Sequence, residues 1–253
     1  YWSNSGGDNI LMCIGNHDTA DSHGFGSPSD GWVWDEHAGQ DAFERYFASI
    51  ANWGVIHDGN TSHCYYYKDY TENKIRLIVL DCMAYDDAQN SWFESVVQST
   101  PSDFSLIVAS HYAPSQKLTH IKCSFAVYGC AYNPWSSSLD ERAAIIIDDF
   151  QNNGGNFVCW LCGHVHMDIV ATPLGFPNQL VVMIAEAKYY GTNYYYNDVK
   201  RVLGTKSQDL FNILSIDSYA KTFSLYRVGA NYNKNLQKRE SMAWDYKNHQ
   251  LIY

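Results

Sequence analysis

Three short apolar runs in this chain each reach a histidine within three residues of their end. They are Ile10-Leu-Met-Cys-Ile-Gly-Asn-His-Asp18, Leu106-Ile-Val-Ala-Ser-His111-Tyr-Ala-Pro114 and Phe157-Val-Cys-Trp-Leu-Cys-Gly-His164-Val-His166. Apolar runs of this length bounded by turn residues read as buried strands. In α/β sheets, ligand sites lie just beyond the carboxyl ends of strands. Three strand ends can therefore bring Asn16, His17, His111, His164 and His166 to one crevice. At any one of these ends a lone histidine is ordinarily a hydrogen-bonded surface or core residue. Three such ends, one carrying His-x-His after glycine, point instead to a metal site. Imidazole nitrogens and an amide oxygen suit zinc, iron, manganese or nickel better than calcium.

The rest of the chain supplies a framework for those ends. Apolar runs at Ile10–Ile14, Ile75–Leu80, Ser105–Ala109, Phe157–Leu161 and Leu180–Ile184 predict buried strands, and Leu210–Ile216 with Thr222–Arg227 predicts a hairpin across Asp217–Lys221. Helical spacing is clearest over Ala38–Ala51, Ser91–Gln98 and Leu139–Asn152. The last opens on Ser138 as N-cap with Glu141 three residues on, a capping-box pattern, and stops at Asn153-Gly154-Gly155. Strands and helices alternate over two thirds of the chain and strands dominate the last third. That is an α/β protein, its sheet flanked by helices and carrying an antiparallel edge. We expect one domain over 1–253, with 229–253 as a C-terminal extension of unassigned structure.

Composition narrows the function. Of 253 residues, 46% are hydrophobic and 17% charged, which excludes intrinsic disorder. The net charge of −10 argues against a broad nucleic-acid surface, which needs clustered Lys and Arg. No apolar run reaches the ~18 residues of a membrane span. Seven cysteines, an odd number, do not read as a disulfide framework. Cys159-Trp-Leu-Cys162 matches C-x-x-C, but it lies within a strand pattern with no second pair, so a packing role is expected. Cys123 and Cys130 could pair if the protein is exported, and the compartment stays open.

The three histidine segments resemble the signatures of the calcineurin-like metallophosphoesterases. Gly15-Asn16-His17-Asp18 is similar to their GNH[DE] motif, His111 after an apolar strand to their isolated ligand histidine, and Gly163-His164-Val165-His166 to their GHxH motif. The resemblance covers roughly residues 9 to 228 in layout. It implies an αββα sandwich with two divalent metal ions (Mn, Fe, Zn or Ni) over the strand ends. It further implies that Asn16, His111 and His164 bind one metal and His166 the other. His17 would contact the phosphoryl oxygen or protonate the leaving group, and Asp18 would orient His17 or hold the backbone turn. Two metals ~3.5–4 Å apart polarise a phosphoryl group and hold attacker and leaving group in line. A histidine beside them can donate the proton a departing alkoxide needs.

The family's two upstream motifs, Asp-x-His and Gly-Asp-x-x-[Asp/Asn], do not occur in the 15 residues before Asn16. Gly7-Asp8 imitates half of the second, yet a parallel crossover needs about a dozen residues or more, so Asp8 reads as a turn aspartate. The expectation is an N-terminally truncated sandwich lacking its first strands, whose activity as it stands is weak. Two loops follow motif strands, Asp21–Glu36 and Ser115–Trp135, and loops so placed commonly set specificity. Trp32, Trp34, Tyr112, Tyr128 and Trp135 could stack on a base or sugar, or simply pack. Asp81, at the end of a strand, could support a metal ligand or serve a buried hydrogen-bonded role. His23, His37, His57, His63 and His120 lie in polar stretches and are expected at the surface or facing substrate. The leading function is phosphomonoester or phosphodiester hydrolysis on a small substrate. A phosphoprotein phosphatase and a non-catalytic scaffold that keeps the fold are the alternatives.

Overall fold

A computed structural model describes residues 11–13, 15, 54–59, 63–82, 85–121, 138–164, 169–183, 203–205, 208, 210–229 and 240–252. In chain order these form β1 (Val55–Ile56), β2 (Tyr66–Tyr70), β3 (Ile75–Val79), α1 (Asp87–Gln98), β4 (Ser105–Ala109), β5 (Leu118–His120) and α2 (Glu141–Asn152). Then come β6 (Asn156–Cys162), β7 (Ile169–Pro173), β8 (Val181–Met183), β9 (Leu210–Asp217), β10 (Thr222–Gly229), β11 (Glu240–Asp245) and β12 (Gln250–Leu251). The expected helix over Ala38–Ala51, the cysteines Cys123 and Cys130, and the loop Asp21–Glu36 lie outside the described residues.

One eight-stranded sheet has the order β1-β2-β3-β4-β6-β8-β7-β5, and a second, four-stranded sheet the order β12-β11-β10-β9. Strands β3, β4, β6 and β8 run parallel. Antiparallel pairs flank them on both sides, β1–β2–β3 and β8–β7–β5. Parallel neighbours need a crossover, and α1 and α2 supply those from β3 to β4 and from β4 to β6. Buried on both faces, these strands are apolar along most of their length, with Arg76 of β3 a buried exception, its guanidinium paired with Asp69. Leu106 and Val108 of β4, with Ile78 and Trp160, meet Phe93, Val96 and Val97 of α1 and Ala143, Ile146 and Ile147 of α2. From the opposite face, Ile107, Val158, Cys159 and Val182 meet Phe223, Leu225, Met242 and Trp244 of the second sheet. The molecule is thus a mixed α/β protein in which a helix layer, a large mixed sheet and a small antiparallel sheet are stacked. None of its described helices is long and apolar enough to cross a membrane.

Helix ends explain two departures from the expected boundaries. α1 begins four residues before Ser91, because the Asp86 carboxylate accepts the Gln89 backbone N–H at 2.8 Å and caps it there. α2 begins at Glu141 with Asp140, not Ser138, as its cap: the Asp140 side chain accepts the Arg142 N–H at 2.8 Å. Glu141 is not in a capping box either; it accepts a hydrogen bond from Ser115 Oγ. The stop is as expected. Gly154 takes φ +86°, and Gly155 N–H and Gly154 N–H donate to Phe150 O and Gln151 O, the paired bonds of a Schellman turn.

Two strand expectations also change. Leu11–Cys13 is not in a strand; Leu11 and Cys13 pack on Cys64, Tyr66 and Val79, and Met12 O accepts from the Tyr66 hydroxyl at 2.6 Å. The stretch 229–253 contains β11 and β12, whose Met242 and Trp244 are buried against the large sheet. Cys159 and Cys162 stand three residues apart on β6, so alternation sends them to opposite faces, one to each core. Burial pushes both thiols well above their ordinary pKa, and the packing role expected for them matches that placement.

Candidate functional site

β4 and β6 lie side by side in parallel register, Ala109 opposite Leu161. Their pairing continues past the strands. Ser110 N–H donates to Leu161 O at 3.0 Å, and Gly163 N–H donates to His111 O at 3.1 Å. That extension fixes the second and third histidine segments against each other although they are about fifty residues apart in sequence. At His164 the backbone turns into the left-handed region with φ +69°, a conformation histidine adopts uncommonly, at a cost of about 1–3 kcal/mol. The turn carries the His164 ring back toward its neighbour: the His111 and His164 ring centroids are 5.1 Å apart with planes at 68°.

The first segment meets the same place through its glycine. A Cβ on Gly15 would stand 2.9 Å from His111 Nδ1, 3.0 Å from Cε1 and 3.1 Å from Cγ. Only a residue without a side chain permits that approach. Gly163 faces the same ring from the other motif, where a Cβ would lie 3.4 Å from Nδ1. Gly15, His111 and Gly163-His164 therefore gather at the carboxyl ends of β4 and β6. Asn16, His17, Asp18 and His166 lie outside the described residues.

The spacing of the two imidazoles suits a shared cation. With N–metal bonds of ~2.0–2.1 Å, two imidazoles on one tetrahedral metal place their ring centroids roughly 5 Å apart, and the observed separation is 5.1 Å. Both rings are half-buried. Among the described residues no group of three or more His, Cys, Asp or Glu side chains is arranged to hold a metal. As a donor set the pair fits zinc, manganese, iron or nickel.

Cys82 and Cys162 are buried, burial raises the pKa of both thiols, and Cys162 Sγ donates to Tyr112 O at 3.6 Å. Asp81 is buried, and its Oδ2 accepts the Cys64 N–H at 2.9 Å. The Asp81 backbone is clamped by Gln89, whose side chain accepts from Asp81 N at 2.8 Å and donates to Asp81 O at 3.0 Å. This is the hydrogen-bonded alternative for Asp81. Of the remaining histidines, His57 Nδ1 accepts the Gly59 N–H and His63 stacks on Tyr65, while the backbone of His120 is in β5.

Of the two roles the sequence left open for Tyr112, the structure has the packing one. Tyr112 is only 8% exposed, and its ring lies 4.6 Å from that of His164 at 75° and 5.4 Å from that of His111 at 46°. It packs on the imidazoles and presents no open platform for a base or sugar. The one hint in the sequence was its position directly after His111. Trp32, Trp34, Tyr128 and Trp135 lie outside the described residues.

Comparison of the chain with known protein-family models and with curated proteins gives no match. Fold and site together define a mixed α/β protein with a histidine pair at the carboxyl ends of two adjacent parallel strands.

Proposed function

We propose that this protein is a metal-dependent hydrolase of phosphoester bonds, acting on a small phosphomonoester or phosphodiester. The observation that carries the reading is the meeting of Gly15, His111 and Gly163-His164, one part from each of the three motif-like segments. Nothing in strand packing alone requires three separate segments to place glycine and histidine at one point. The stacked layers support the finer fold assignment, an αββα sandwich. Two packed sheets with helices on one outer side make three of its four layers, and the exposed Phe211, Ile213 and Val228 on the outer side of β9 and β10 are what a fourth would cover.

In this reading His111 and His164 hold one divalent metal together with Asn16, and His166 holds a second. Bound metals supply Lewis-acid polarisation of the phosphoryl group and a nucleophile at neutral pH. His17 donates a proton from its imidazole to the leaving oxygen, and Asp18 holds the His17 tautomer or the turn that carries it.

The test is metal uptake by the chain, measured with Mn²⁺ and Zn²⁺, followed by hydrolysis of an aryl phosphate monoester and diester. Uptake is expected for the native chain and is expected to fall in His111→Ala and His164→Ala, with any metal-dependent hydrolysis falling in parallel. A native chain that takes up no metal, or uptake indifferent to both substitutions, would overturn the proposal.

A further inference from the structure

The site contains a third ring that the phosphoesterase reading does not use. The centroids of His111, His164 and Tyr112 form a nearly equilateral triangle with sides of 5.1, 4.6 and 5.4 Å. We infer that Tyr112 is a positioning residue that holds both imidazoles in their metal-binding orientation through contact with its ring; the inference rests on the metal-site reading above and extends it.

The base of the Tyr112 ring is fixed from several directions. On one side of it Ser110 N–H donates to Leu161 O, and on the other Leu139 N–H donates to Ala113 O at 2.8 Å. Its own carbonyl accepts the Cys162 thiol, and the carbonyl of His111 accepts Gly163 N–H. Residues 110–113 are therefore tied to β6 and to the residues leading into α2, which fixes the backbone that carries the ring, and the ring itself is held by its burial against the two imidazoles.

An imidazole needs such a neighbour. Its χ2 torsion is broad and roughly two-fold, so an unsupported histidine presents its nitrogens in many directions. Two ligands on one cation must point together, with N–metal distances held to a few tenths of an ångström. Aromatic pairs favour edge-to-face contact, the positive edge of one ring against the negative face of another. The Tyr112–His164 contact at 75° is of that kind. A cation on the imidazole makes the ring edge more positive, so metal binding and the Tyr112 contact strengthen each other. The aromatic ring is the operative element, and a phenylalanine ring would serve in its place.

The experiment compares the native chain with Tyr112→Phe and Tyr112→Leu, with Tyr112→Met in place of the leucine variant should that one not fold. Two quantities are measured: Mn²⁺ or Zn²⁺ affinity by calorimetric titration, and the visible absorption spectrum of the Co²⁺-loaded protein, which reports ligand geometry. Substitutions of groups that orient metal ligands typically cost roughly 10–100-fold in affinity. Tyr112→Leu is expected to lose that much and to change the Co²⁺ bands, while Tyr112→Phe stays within about twofold with native bands, by the same scale. A leucine variant with native affinity and spectrum would overturn the inference and leave the metal site standing. A phenylalanine variant as impaired as leucine would overturn it too, by assigning the effect to the hydroxyl. No metal uptake by the native chain would overturn the parent reading and this inference with it.

Discussion

Gly15→Ala tests whether the first motif-like segment truly closes on the second. A Cβ at this position would meet three atoms of the His111 ring at 2.9, 3.0 and 3.1 Å. Ordinary carbon contacts lie at about 3.5–4.0 Å, so the ring or the Gly15 backbone must yield by roughly half an ångström. The ring cannot retreat freely, because His164 and Tyr112 stand against it. Overpacking of this kind costs about 1–3 kcal/mol. In a domain of this size each kcal/mol lowers the melting temperature by about 2–4 °C. The effect on metal should exceed the effect on stability, since a shift of ~0.5 Å exceeds the ~0.2 Å tolerance of a metal–ligand bond. A loss of at least ~10-fold in affinity is expected. Gly163→Ala is the matched control: its Cβ would lie 3.4 and 3.8 Å from the same ring, an ordinary contact, and affinity should stay within about twofold on that scale. Calorimetric metal titration and thermal unfolding of both variants decide the matter. If Gly15→Ala matches Gly163→Ala in both measurements, Gly15 does not stand against His111 and the convergence of the first segment on the second is refuted.

Two further outcomes follow from the scaffold. Asp140→Ala should destabilise the protein by about 1 kcal/mol through loss of the α2 cap, while Ser138→Ala should be near neutral, as read by denaturant unfolding. Burial pushes the Asp140 carboxyl up, but hydrogen bonds from the Arg142 side chain and backbone prevail and hold it below its ordinary value. Its stabilisation is therefore complete above the ordinary carboxylate pKa of ~3.9 and lost as pH falls through the lower folded value, so the Asp140→Ala penalty should shrink only below about pH 4. Gln89→Leu removes the amide that pairs with both Asp81 N and Asp81 O in a fully buried position. At about 1–3 kcal/mol for each buried group deprived of a partner, its unfolding midpoint should drop clearly, whereas Gln98→Leu on the exposed side of the same helix should not.

What could be read from the residues was what depends on local pattern. Ser105–Ala109 matches β4 residue for residue, and Phe157–Leu161 lies within one residue of each end of β6. Both are covered on two faces, and a strand so placed is apolar along most of its length. Strands of mixed composition gave no such signal: Tyr66-Tyr-Lys-Asp-Tyr70 and Glu240-Ser-Met-Ala-Trp-Asp245 mix polar and apolar residues, and only pairing with β3 and β10 makes them strands. Helix existence was legible from apolar spacing, whereas the α2 start depended on which of several polar side chains reached the Arg142 N–H.

The histidines at the ends of the runs marked His111 and His164 as candidates before any fold was known, because a polar residue that closes a buried strand emerges at its mouth. Their meeting was another matter. It depends on β4 and β6 being parallel neighbours, on the pairing that runs two residues past β4 and one past β6, and on the left-handed turn at His164. Gly15 against the His111 ring and Tyr112 against both imidazoles are likewise contacts between segments far apart in the chain or turned by it. One-dimensional spacing reports which side of a strand a residue faces and where the strand stops. Which strand ends become neighbours is settled by the packing of both sheet faces, and that packing placed two imidazoles at the distance one cation can span.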